Sequence, residues 1–343
     1  MEIDISKLKY KFLVVLKSGA SINITNLITD CSIEDPDGEI SEHAEMTINN
    51  ILYGSGRISS VITPGSALYI SSDWGSGFEE IYRGTIWDWD DEGSTTDKSF
   101  KFSVYDILKY LEQSEDNIYF PAGLSTKSIV GNISNKWGIP FSYTYSSITH
   151  SKVVLPATEL SEAIKTVLDD AQSKVAANYV ILARKGVMDV IPQGSNSTVC
   201  VFTGREIETT SNKLSMDDLI TKVIVGGQQD NAGKVPVEAA FTGRTEFGTL
   251  QKLVSRDEDT TLNAASAEAQ KMLKEHGNLS GDREIGAPDV PFIRKGDKVK
   301  IVTGSFNGYY YVLGVTHLPV ERRMTMQVKS VTQESVPIKS ATK

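Results

Sequence analysis

Acidic side chains are the residues of this sequence best placed to do chemistry, and they cluster at two places. Asp88-Trp89-Asp90-Asp91-Glu92-Gly93 is the densest acidic stretch, and Asp257-Glu258-Asp259 is the second. Paired carboxylates could bind Ca²⁺ or hydrolyse a glycosidic bond. However, the first stretch lies in a predicted long hairpin, and the second directly precedes a predicted helix, whose dipole stabilises acidic side chains. We therefore predict neither a metal site nor catalytic residues at either stretch.

The histidines do not indicate a catalytic or metal site. Each is isolated in the sequence, and none has the spacing of a metal-binding motif such as His-Glu-x-x-His. The four are His43, His150, His276 and His317. We interpret them as surface or helix-face residues. The sequence also lacks a Gly-x-Ser-x-Gly element before a helix, so a serine hydrolase is not indicated.

Three glycine-containing segments are better explained as turns than as binding loops. Gly54-Ser55-Gly56 and Gly75-Ser76-Gly77 precede no helical pattern, and phosphate-binding loops need the amides of a helix N-terminus. Asp35-Pro36-Asp37-Gly38-Glu39 lacks the remaining ligands of an EF-hand loop. Its proline and glycine predict a tight reversal of the chain.

Three consecutive tyrosines, Tyr309-Tyr310-Tyr311, could form a platform on which a carbohydrate or a base stacks. Alternate residues of a strand face opposite sides, so at most two of the three rings share a face. We interpret the segment as a half-buried strand. No motif for an enzyme remains, and we expect no catalytic residues, no cofactor and no metal.

The elements around these residues include a repeat between the two ends of the chain. Gly65 opens a strand with Leu68 and Ile70, and Gly296 opens one with Val299 and Ile301. Further matches pair Gly77 with Gly308 and Gly84 with Gly314, and the alternating residues Phe100, Phe102 and Val104 with Met324, Met326 and Val328. The offset is 231 at the first glycine (296 − 65), 230 at Gly84 (314 − 84) and 224 at the last strand (324 − 100). The shrinking offset predicts a longer hairpin in the first copy. Two copies of one β-unit in one chain allow an odd-numbered oligomer to approximate twice its own symmetry.

The composition is that of a multidomain globular protein. The chain has 343 residues, a net charge of −9 and only Cys31 and Cys200 as cysteines. The acidic balance and the absence of dense Lys/Arg runs disfavour nucleic-acid binding. Two cysteines cannot form a disulfide framework for this length, which favours folding in a reducing cytoplasm. The apolar run Phe12-Leu13-Val14-Val15-Leu16 is too short for a secretory signal, and no stretch reaches the ~20 apolar residues of a membrane span.

The pattern predicts an α+β protein, mainly antiparallel β, in which two similar tube-type β-barrel domains flank an α+β insert. Residues 1–111 are the predicted first barrel and 112–213 the insert, with helices after Ser125 and from about Thr158 and a hairpin around Lys185-Gly186. Residues 214–331 are the predicted second barrel, including a polar loop and a helix at 228–277. Residues 332–343 are predicted to be a flexible tail.

Several loose motifs follow one another in a distinctive order along nearly the whole chain. They are Pro64-Gly65-x-x-Leu68-x-Ile70, Tyr82-Arg83-Gly84-Thr85-Ile86, Tyr105-Asp106-Ile107-Leu108-Lys109-Tyr110-Leu111, Leu160-x-x-Ala163-Ile164-x-x-Val167-Leu168, Tyr179-Val180-Ile181 with Gly186, Ser215-Met216-Asp217-Asp218-Leu219-Ile220-Thr221-Lys222-Val223-Ile224-Val225-x-Gly227 and Gly296-Asp297-x-Val299-x-Ile301. In this order the sequence resembles the baseplate hub proteins of contractile phage tails. It is most similar to the XkdQ/YqbQ type of Gram-positive prophages and phage-tail-like bacteriocins.

The resemblance implies a structural protein without catalytic activity. Such hubs are homotrimers whose two barrels per subunit make a quasi-sixfold ring, which continues the hexameric tail tube and receives a trimeric spike or needle. The implied partners are the tail tube and spike proteins, with tape-measure, LysM-type and baseplate wedge proteins as further candidates, and DNA passing through the channel without specific binding. We expect no membrane insertion, assembly in the bacterial host cytoplasm, a place in the virion or tail-like particle, and no added cell-wall hydrolase domain. The alternative is a tail module that binds or degrades cell-wall peptidoglycan or polysaccharide.

Overall fold

The computed structural model describes residues 7–75, 77–90, 98–175, 177–229, 233–256, 260–304, 306–331 and 339–342. These ranges hold many β-strands, paired mostly antiparallel, and four α-helices. The predicted α+β class with mainly antiparallel β-structure is confirmed. No helix in the described ranges is both long and apolar enough to cross a bilayer.

The N-terminal third of the chain is built from short strands. They are β1 (Lys9–Val15), β2 (Ser21–Asn23), β3 (Ile28–Asp35), β4 (His43–Asn49), β5 (Leu52–Tyr53), β6 (Gly56–Arg57), β7 (Ala67–Asp73), β8 (Glu79–Asp90) and β9 (Ser99–Tyr105). Along β7 and β9 buried residues alternate with more exposed ones, as expected for a sheet with one face against a core.

The insert combines helices with small sheets. Its elements are α1 (Lys109–Glu112), β10 (Glu115–Phe120), α2 (Thr126–Lys136), β11 (Phe141–Tyr143), β12 (Val153–Glu159), α3 (Leu160–Lys174), β13 (Tyr179–Arg184) and β14 (Val187–Pro192). The side chain of Ser125 accepts a hydrogen bond from the backbone N–H of Ser128, which confirms the predicted cap of α2. Lys185 and Gly186 both have positive φ, as the predicted two-residue hairpin requires.

The C-terminal part returns to β-structure around one helix. Its elements are β15 (Val201–Thr203), β16 (Thr209–Ser215), β17 (Lys222–Gly226), β18 (Val237–Thr242), β19 (Gln251–Ser255), α4 (Leu262–His276), β20 (Ser280–Pro288), β21 (Lys298–Thr303), β22 (Phe306–Leu318), β23 (Arg323–Ser330) and β24 (Lys339–Thr342). The predicted loose tail is not found at Lys339–Thr342, because these residues pair with β18 as strand β24.

The two copies of the repeat are three-stranded antiparallel meanders within one sheet. We call β7-β8-β9 the first meander and β21-β22-β23 the second meander. The 13-stranded sheet has the order β16-β20-β23-β22-β3-β4-β9-β8-β7-β1-β2, with β21 paired to β22 and β15 to β21. In the first copy β4 flanks the last strand of the meander, and in the second copy β20 does so, both antiparallel. Among the described residues this order is open, so it does not show the two closed barrels that the sequence predicted.

The entry to each meander has the same backbone hydrogen bonds. Gly65 donates to the carbonyl of Ile86, whose N–H donates to Ser66. In the second copy Gly296 donates to Val312, whose N–H donates to Asp297. The two glycines have φ of +87° and +86°, in the left-handed region that glycine alone adopts readily. The backbone therefore repeats along with the sequence pattern.

The structure corrects one pair in the sequence alignment of the copies. Leu68 lies opposite Gly84, whereas the equivalent Val299 lies opposite Tyr310, so Gly84 matches Tyr310 rather than Gly314. The offset there is 226 (310 − 84), five less than at the entry glycine. The first copy therefore has its additional residues in the hairpin between β7 and β8.

The chain divides into two compact units. The large unit comprises Met1–Thr210 and Glu284–Lys329, and the small unit comprises Ser211–Arg283 and Ser330–Lys343. The large unit contains both meanders and the insert, each with its own apolar cluster. In the small unit α4 packs on the sheet β19-β17-β18-β24. The predicted domain boundaries 1–111, 112–213 and 214–331 stay a prediction, because the two compact units begin and end at other residues.

Candidate functional site: a charged junction between the two meanders

The predicted acidic candidates form no cluster in the described residues. Asp88 and Asp90 are exposed on β8 and point to the same side of the strand. Residues 91–93 of that stretch, and the whole second stretch at 257–259, lie outside the described residues. No group of three His, Cys, Asp or Glu side chains in the described ranges is arranged to hold a metal ion.

The histidines fall into two groups. His276 is exposed at the end of α4, which confirms its interpretation as a helix-face residue, and His43 stacks on the ring of Tyr105 with 5.4 Å between centroids. His150 and His317 are buried, so the surface interpretation was wrong for both. The imidazole of His150 contacts the hydroxyl of Thr126 at 2.8 Å and a carboxylate oxygen of Asp170 at 2.9 Å. These contacts hold the helices of the insert together.

His317 belongs to a buried polar triad that connects distant parts of the chain. Its Nδ1 lies 2.6 Å from Oδ1 of Asp289, and its Nε2 lies 3.0 Å from the carbonyl oxygen of Ile293. The hydroxyl of Tyr10 donates to the other oxygen of Asp289. The side chains of Asp289 and His317 are almost inaccessible to solvent, as expected for a structural contact. It ties β1 to the second meander.

The tyrosine segment lies in β22. Tyr310 is buried, Tyr309 is 48% exposed, and Tyr311 is half-buried. The ammonium group of Lys300 lies 5.7 Å from the centroid of the Tyr309 ring. The half-buried strand interpretation therefore holds, with Tyr309 and Tyr311 on one face and Tyr310 on the other.

Buried charged residues lie in a four-residue loop, Arg294–Asp297, which we call the junction loop. It precedes β21 and contacts the connection between β3 and β4 through Lys295; these two strands lie between the two meanders in the sheet. The Lys295 ammonium lies 2.7 Å from Oδ1 of Asp35 and donates to the carbonyls of Pro36 at 3.2 Å and Glu39 at 2.7 Å. The backbone N–H of Lys295 donates to Oδ2 of Asp35 at 3.0 Å. The predicted turn after Asp35 thus surrounds an ammonium group supplied by the loop that leads into the second meander.

A second ion pair lies beside the first. The guanidinium of Arg294 contacts Oε1 of Glu42, and both side chains are largely buried. The backbone N–H of Glu42 donates to Asp106 Oδ2 at 3.0 Å, and Asp106 Oδ1 accepts from the N–H of Leu108 at 2.8 Å. Arg294 is therefore linked through Glu42 to the point where the chain leaves the first meander and enters the insert.

The junction loop also contacts the insert. A Cβ atom on Gly296 would lie 2.4 Å from Cγ2 of Val180 in β13, so only glycine fits this position. The carbonyl of Gly296 accepts a hydrogen bond of 2.7 Å from the N–H of Gly194. The junction loop thus contacts the β3–β4 connection, the insert and the second meander.

Burial perturbs the acidic groups of this junction. It raises the pKa of Asp106 to about 7, although hydrogen bonds from the backbone of Glu42 and Leu108 oppose the rise. It raises the pKa of Asp297 to about 6 against the hydrogen bond from the Arg294 backbone. Burial also raises the pKa of Glu42, although Arg294 favours its ionised form. These acids therefore bind protons more tightly in the folded protein than in the unfolded chain.

Two clefts flank the junction. One, of about 340 Å³, lies between Glu39, Lys165, Tyr179 and Lys295. In it the Tyr179 hydroxyl donates to Asp169, and Lys165 donates to the carbonyl of Gly38. The other has a volume of about 350 Å³ and lies where β3 meets β22. It is lined by Glu34, Glu284 and other residues of the neighbouring strands. Lys295 of the junction loop borders the first cleft, and the turn after Asp35 borders the second.

The fold is that of phage-tail proteins. The chain aligns with the 43 kDa tail protein of prophage MuSo2 from Shewanella oneidensis at a TM-score of 0.69 and 12% identity, covering 93% of this chain and 97% of that one. It aligns with the tail protein of Neisseria meningitidis MC58 at a TM-score of 0.68 and 12% identity, covering 93% and 95%. At these identities the likeness concerns the fold.

The sequence places the chain in a family. A family model described as YQBQ-like matches residues 43–330, and the chain therefore belongs to the YQBQ-like family. It is 24% identical over 267 residues to the XkdQ protein of the phage-like element PBSX of Bacillus subtilis (strain 168), covering 76% of this chain and 80% of XkdQ. The predicted resemblance to the XkdQ/YqbQ type of tail baseplate protein is confirmed.

Proposed function

We propose that this protein is the structural baseplate hub of a contractile tail, either a phage tail or a phage-tail-like particle such as a bacteriocin. In this role it is a homotrimeric symmetry adaptor that joins the hexameric tail tube to a trimeric spike. The family and the tail-protein fold support a structural tail role. The adaptor role rests on the repeat within the chain.

One observation carries the proposal: both meanders lie in one sheet and begin with the same glycine and the same pair of backbone hydrogen bonds. Three subunits with two such copies each supply six similar wall segments, which matches a sixfold partner on one face and a threefold partner on the other. We propose that the assembled copies complete the tube-type barrels. We propose that the junction loop restricts how the second meander can move relative to the β3–β4 connection and the insert, because its ion pairs are buried and Gly296 lies against Val180.

The hub proposal also specifies the partners of the protein, its place of assembly and its channel. Its partners are the tail tube and spike proteins, with tape-measure, LysM-type and wedge proteins as additional contacts, and the hub assembles in the host cytoplasm. DNA passes through the ring without specific binding. Since the chain carries a net charge of −9, we expect a neutral or acidic channel wall, which would let a polyanion slide.

Light scattering tests the proposal directly. The purified protein, alone and mixed with its tube and spike proteins, is passed over a sizing column with multi-angle detection. We expect the mass of three chains in the complex with the spike, and three chains per hexamer of the tube protein. A stable single chain in the presence of both partners would refute the hub role.

The competing proposal is a module that binds or degrades the cell wall. Its acidic pair, Asp88 and Asp90, lies on an exposed strand surface rather than in a cleft, which does not favour hydrolysis. We expect the protein to leave the turbidity of a purified peptidoglycan suspension unchanged. A steady loss of turbidity that an Asp88→Asn variant abolishes would instead support the enzyme.

A further inference from the structure

Each meander is entered through a connection from its flanking strand, and the two connections differ in length. Residues 50–66, the first connection, join β4 to β7, and residues 289–297, the second connection, join β20 to β21. The first connection therefore has 17 residues (66 − 49) and the second has 9 (297 − 288). The small hairpin β5–β6 lies in the first connection, whereas residues 289–297 contain no strand.

Within the chain, the hairpin end of the first meander lies against the second connection. Trp74, between β7 and β8, contacts the ring of Phe292 with 5.3 Å between the ring centroids. Beside this contact, Tyr10 of β1, the strand paired with β7, donates a hydrogen bond from its hydroxyl to Asp289. One end of the first copy is therefore joined to the segment that leads into the second copy.

The equivalent surfaces at the other two places of the repeat are apolar and exposed. On the first connection Ile51, Leu52 and Tyr53 follow one another and are 44%, 78% and 42% exposed. At the hairpin end of the second meander, Val302 of β21 is 39% exposed, and Val201 of the adjacent strand β15 is 51% exposed. Groups of exposed apolar side chains mark surfaces that bind another protein.

We propose that these two surfaces meet between neighbouring copies of this chain, so that the β5–β6 hairpin of one copy docks on Val201 and Val302 of the next. The inference rests on the trimeric ring proposed above. In a closed ring, a contact of the first meander on the second connection within a chain is repeated between chains. There the second meander contacts the first connection of the next chain, and three such head-to-tail contacts close the ring.

The lengths of the four segments agree with this arrangement. The β7–β8 hairpin is longer than the β21–β22 hairpin by five residues (231 − 226), and within the chain it contacts the shorter connection. Between chains the shorter hairpin faces the longer connection, whose β5–β6 hairpin supplies the reach that the β21–β22 hairpin lacks. Burial of the exposed apolar side chains of both surfaces in one contact favours association.

Light scattering tests this contact under the conditions, with or without the spike protein, in which the wild type gives the mass of three chains. Leu52→Asp and Val302→Asp each place a charge in an apolar contact, so each should raise the protein concentration needed for association roughly tenfold or more. Leu52→Met keeps the apolar volume and should associate as the wild type does. Val154→Asp is the matched control, because Val154 is 51% exposed on β12 of the insert and lies outside the proposed contact.

A mixture of the two aspartate variants identifies the head-to-tail arrangement. The unaltered β5–β6 hairpin of a Val302→Asp chain can still dock on the unaltered valines of a Leu52→Asp chain. Each mixed pair therefore keeps one intact contact, which neither variant has alone. We expect the mixture to associate at a protein concentration roughly tenfold below that needed by either variant alone.

Melting curves establish that each variant is folded, since replacing exposed side chains changes stability little. The contact is refuted, and the hub proposal stays intact, if both aspartate variants give three chains at the wild-type concentration. A mixture that needs as much protein as either variant alone also refutes it, as does dissociation by Val154→Asp as strong as that by Leu52→Asp. A wild type that stays a single chain with both the tube and the spike protein refutes the hub proposal and this contact together.

Discussion

Lys295 and Asp35 are 260 positions apart in the sequence, yet their charged groups lie 2.7 Å apart in a nearly dry environment. Removing the ammonium leaves the Asp35 carboxylate with only the backbone N–H of Lys295, and it leaves the carbonyl oxygens of Pro36 and Glu39 without that donor. We expect Lys295→Met to destabilise the large unit by about 3–5 kcal/mol, the usual cost of breaking a buried pair. Urea unfolding followed by circular dichroism measures this loss.

The control for this variant is Lys271→Met, which removes an exposed lysine whose pair with Glu275 spans 3.8 Å. We expect its unfolding midpoint to stay close to that of the wild type, since exposed pairs contribute little. A double variant, Lys295→Met with Asp35→Leu, should be more stable than Lys295→Met alone because no buried charge remains unpaired. Equal losses for the exposed and buried lysines would contradict the junction as described.

The equivalent glycines Gly65 and Gly296 give a second test. Both have φ near +86°, so an alanine at either position would be held in a left-handed conformation, which costs about 1–2 kcal/mol. At Gly65 the new Cβ meets only the flexible end of Lys17, whereas at Gly296 it meets the branched side chain of Val180. We therefore expect Gly296→Ala to lower the melting temperature clearly more than Gly65→Ala does.

A compensating variant identifies the cause. Because the clash at Gly296 is with Val180, the pair Gly296→Ala with Val180→Ala should recover part of the loss relative to the sum of the single changes. If the losses of the two single variants add up to that of the double variant, the contact between the junction loop and β13 is not the reason why position 296 requires glycine.

The buried acids predict how stability depends on pH. Burial raises the pKa of Asp297 to about 6 and that of Asp106 to about 7 in the folded protein, above the values of the unfolded chain. The folded state then holds more protons, so the stabilisation from these groups is complete below about pH 4 and is lost as pH rises to about 7. We expect the melting temperature to fall between pH 5 and pH 7.5.

Asp297→Asn tests the assignment, because its amide oxygen can still accept from the Arg294 backbone while its charge no longer titrates. We expect a shallower fall of the melting temperature between pH 5 and pH 6.5 than in the wild type. The exposed Asp90→Asn variant serves as the control and should keep the wild-type slope. A wild-type stability that rises with pH across this range would show that other groups dominate.

Much of the architecture could be predicted because it depends on local pattern. The cap at Ser125, the hairpin at Lys185-Gly186 and the alternating strands of both meanders follow from spacing and turn chemistry. The repeat was visible because buried positions in the two copies share their periodicity. The pairing of Gly84 with Gly314 was wrong because a hairpin insertion shifts the offset without disturbing the apolar alternation.

The junction could not be predicted, because its two ion pairs, Lys295–Asp35 and Arg294–Glu42, each join residues far apart in sequence. Lys295 and Asp35 each look like ordinary surface residues in their own segments, and nothing near His317 indicates that it contacts Asp289, which also accepts a hydrogen bond from Tyr10. A lysine or an arginine directly before an otherwise apolar β-strand is common on protein surfaces. Only the fold shows that the Arg294-Lys295 pair is buried.

The angle between the two meanders in the assembled particle tests the central claim most directly. A cryo-electron microscopy map of the trimeric hub bound to its tail tube gives that angle by superposing β7-β8-β9 on β21-β22-β23 around the particle axis. The hub proposal predicts a rotation of about a sixth of a turn, with each meander facing one tube subunit. A map in which the two meanders lie at different radii, or in which only one of them contacts the tube, would contradict it.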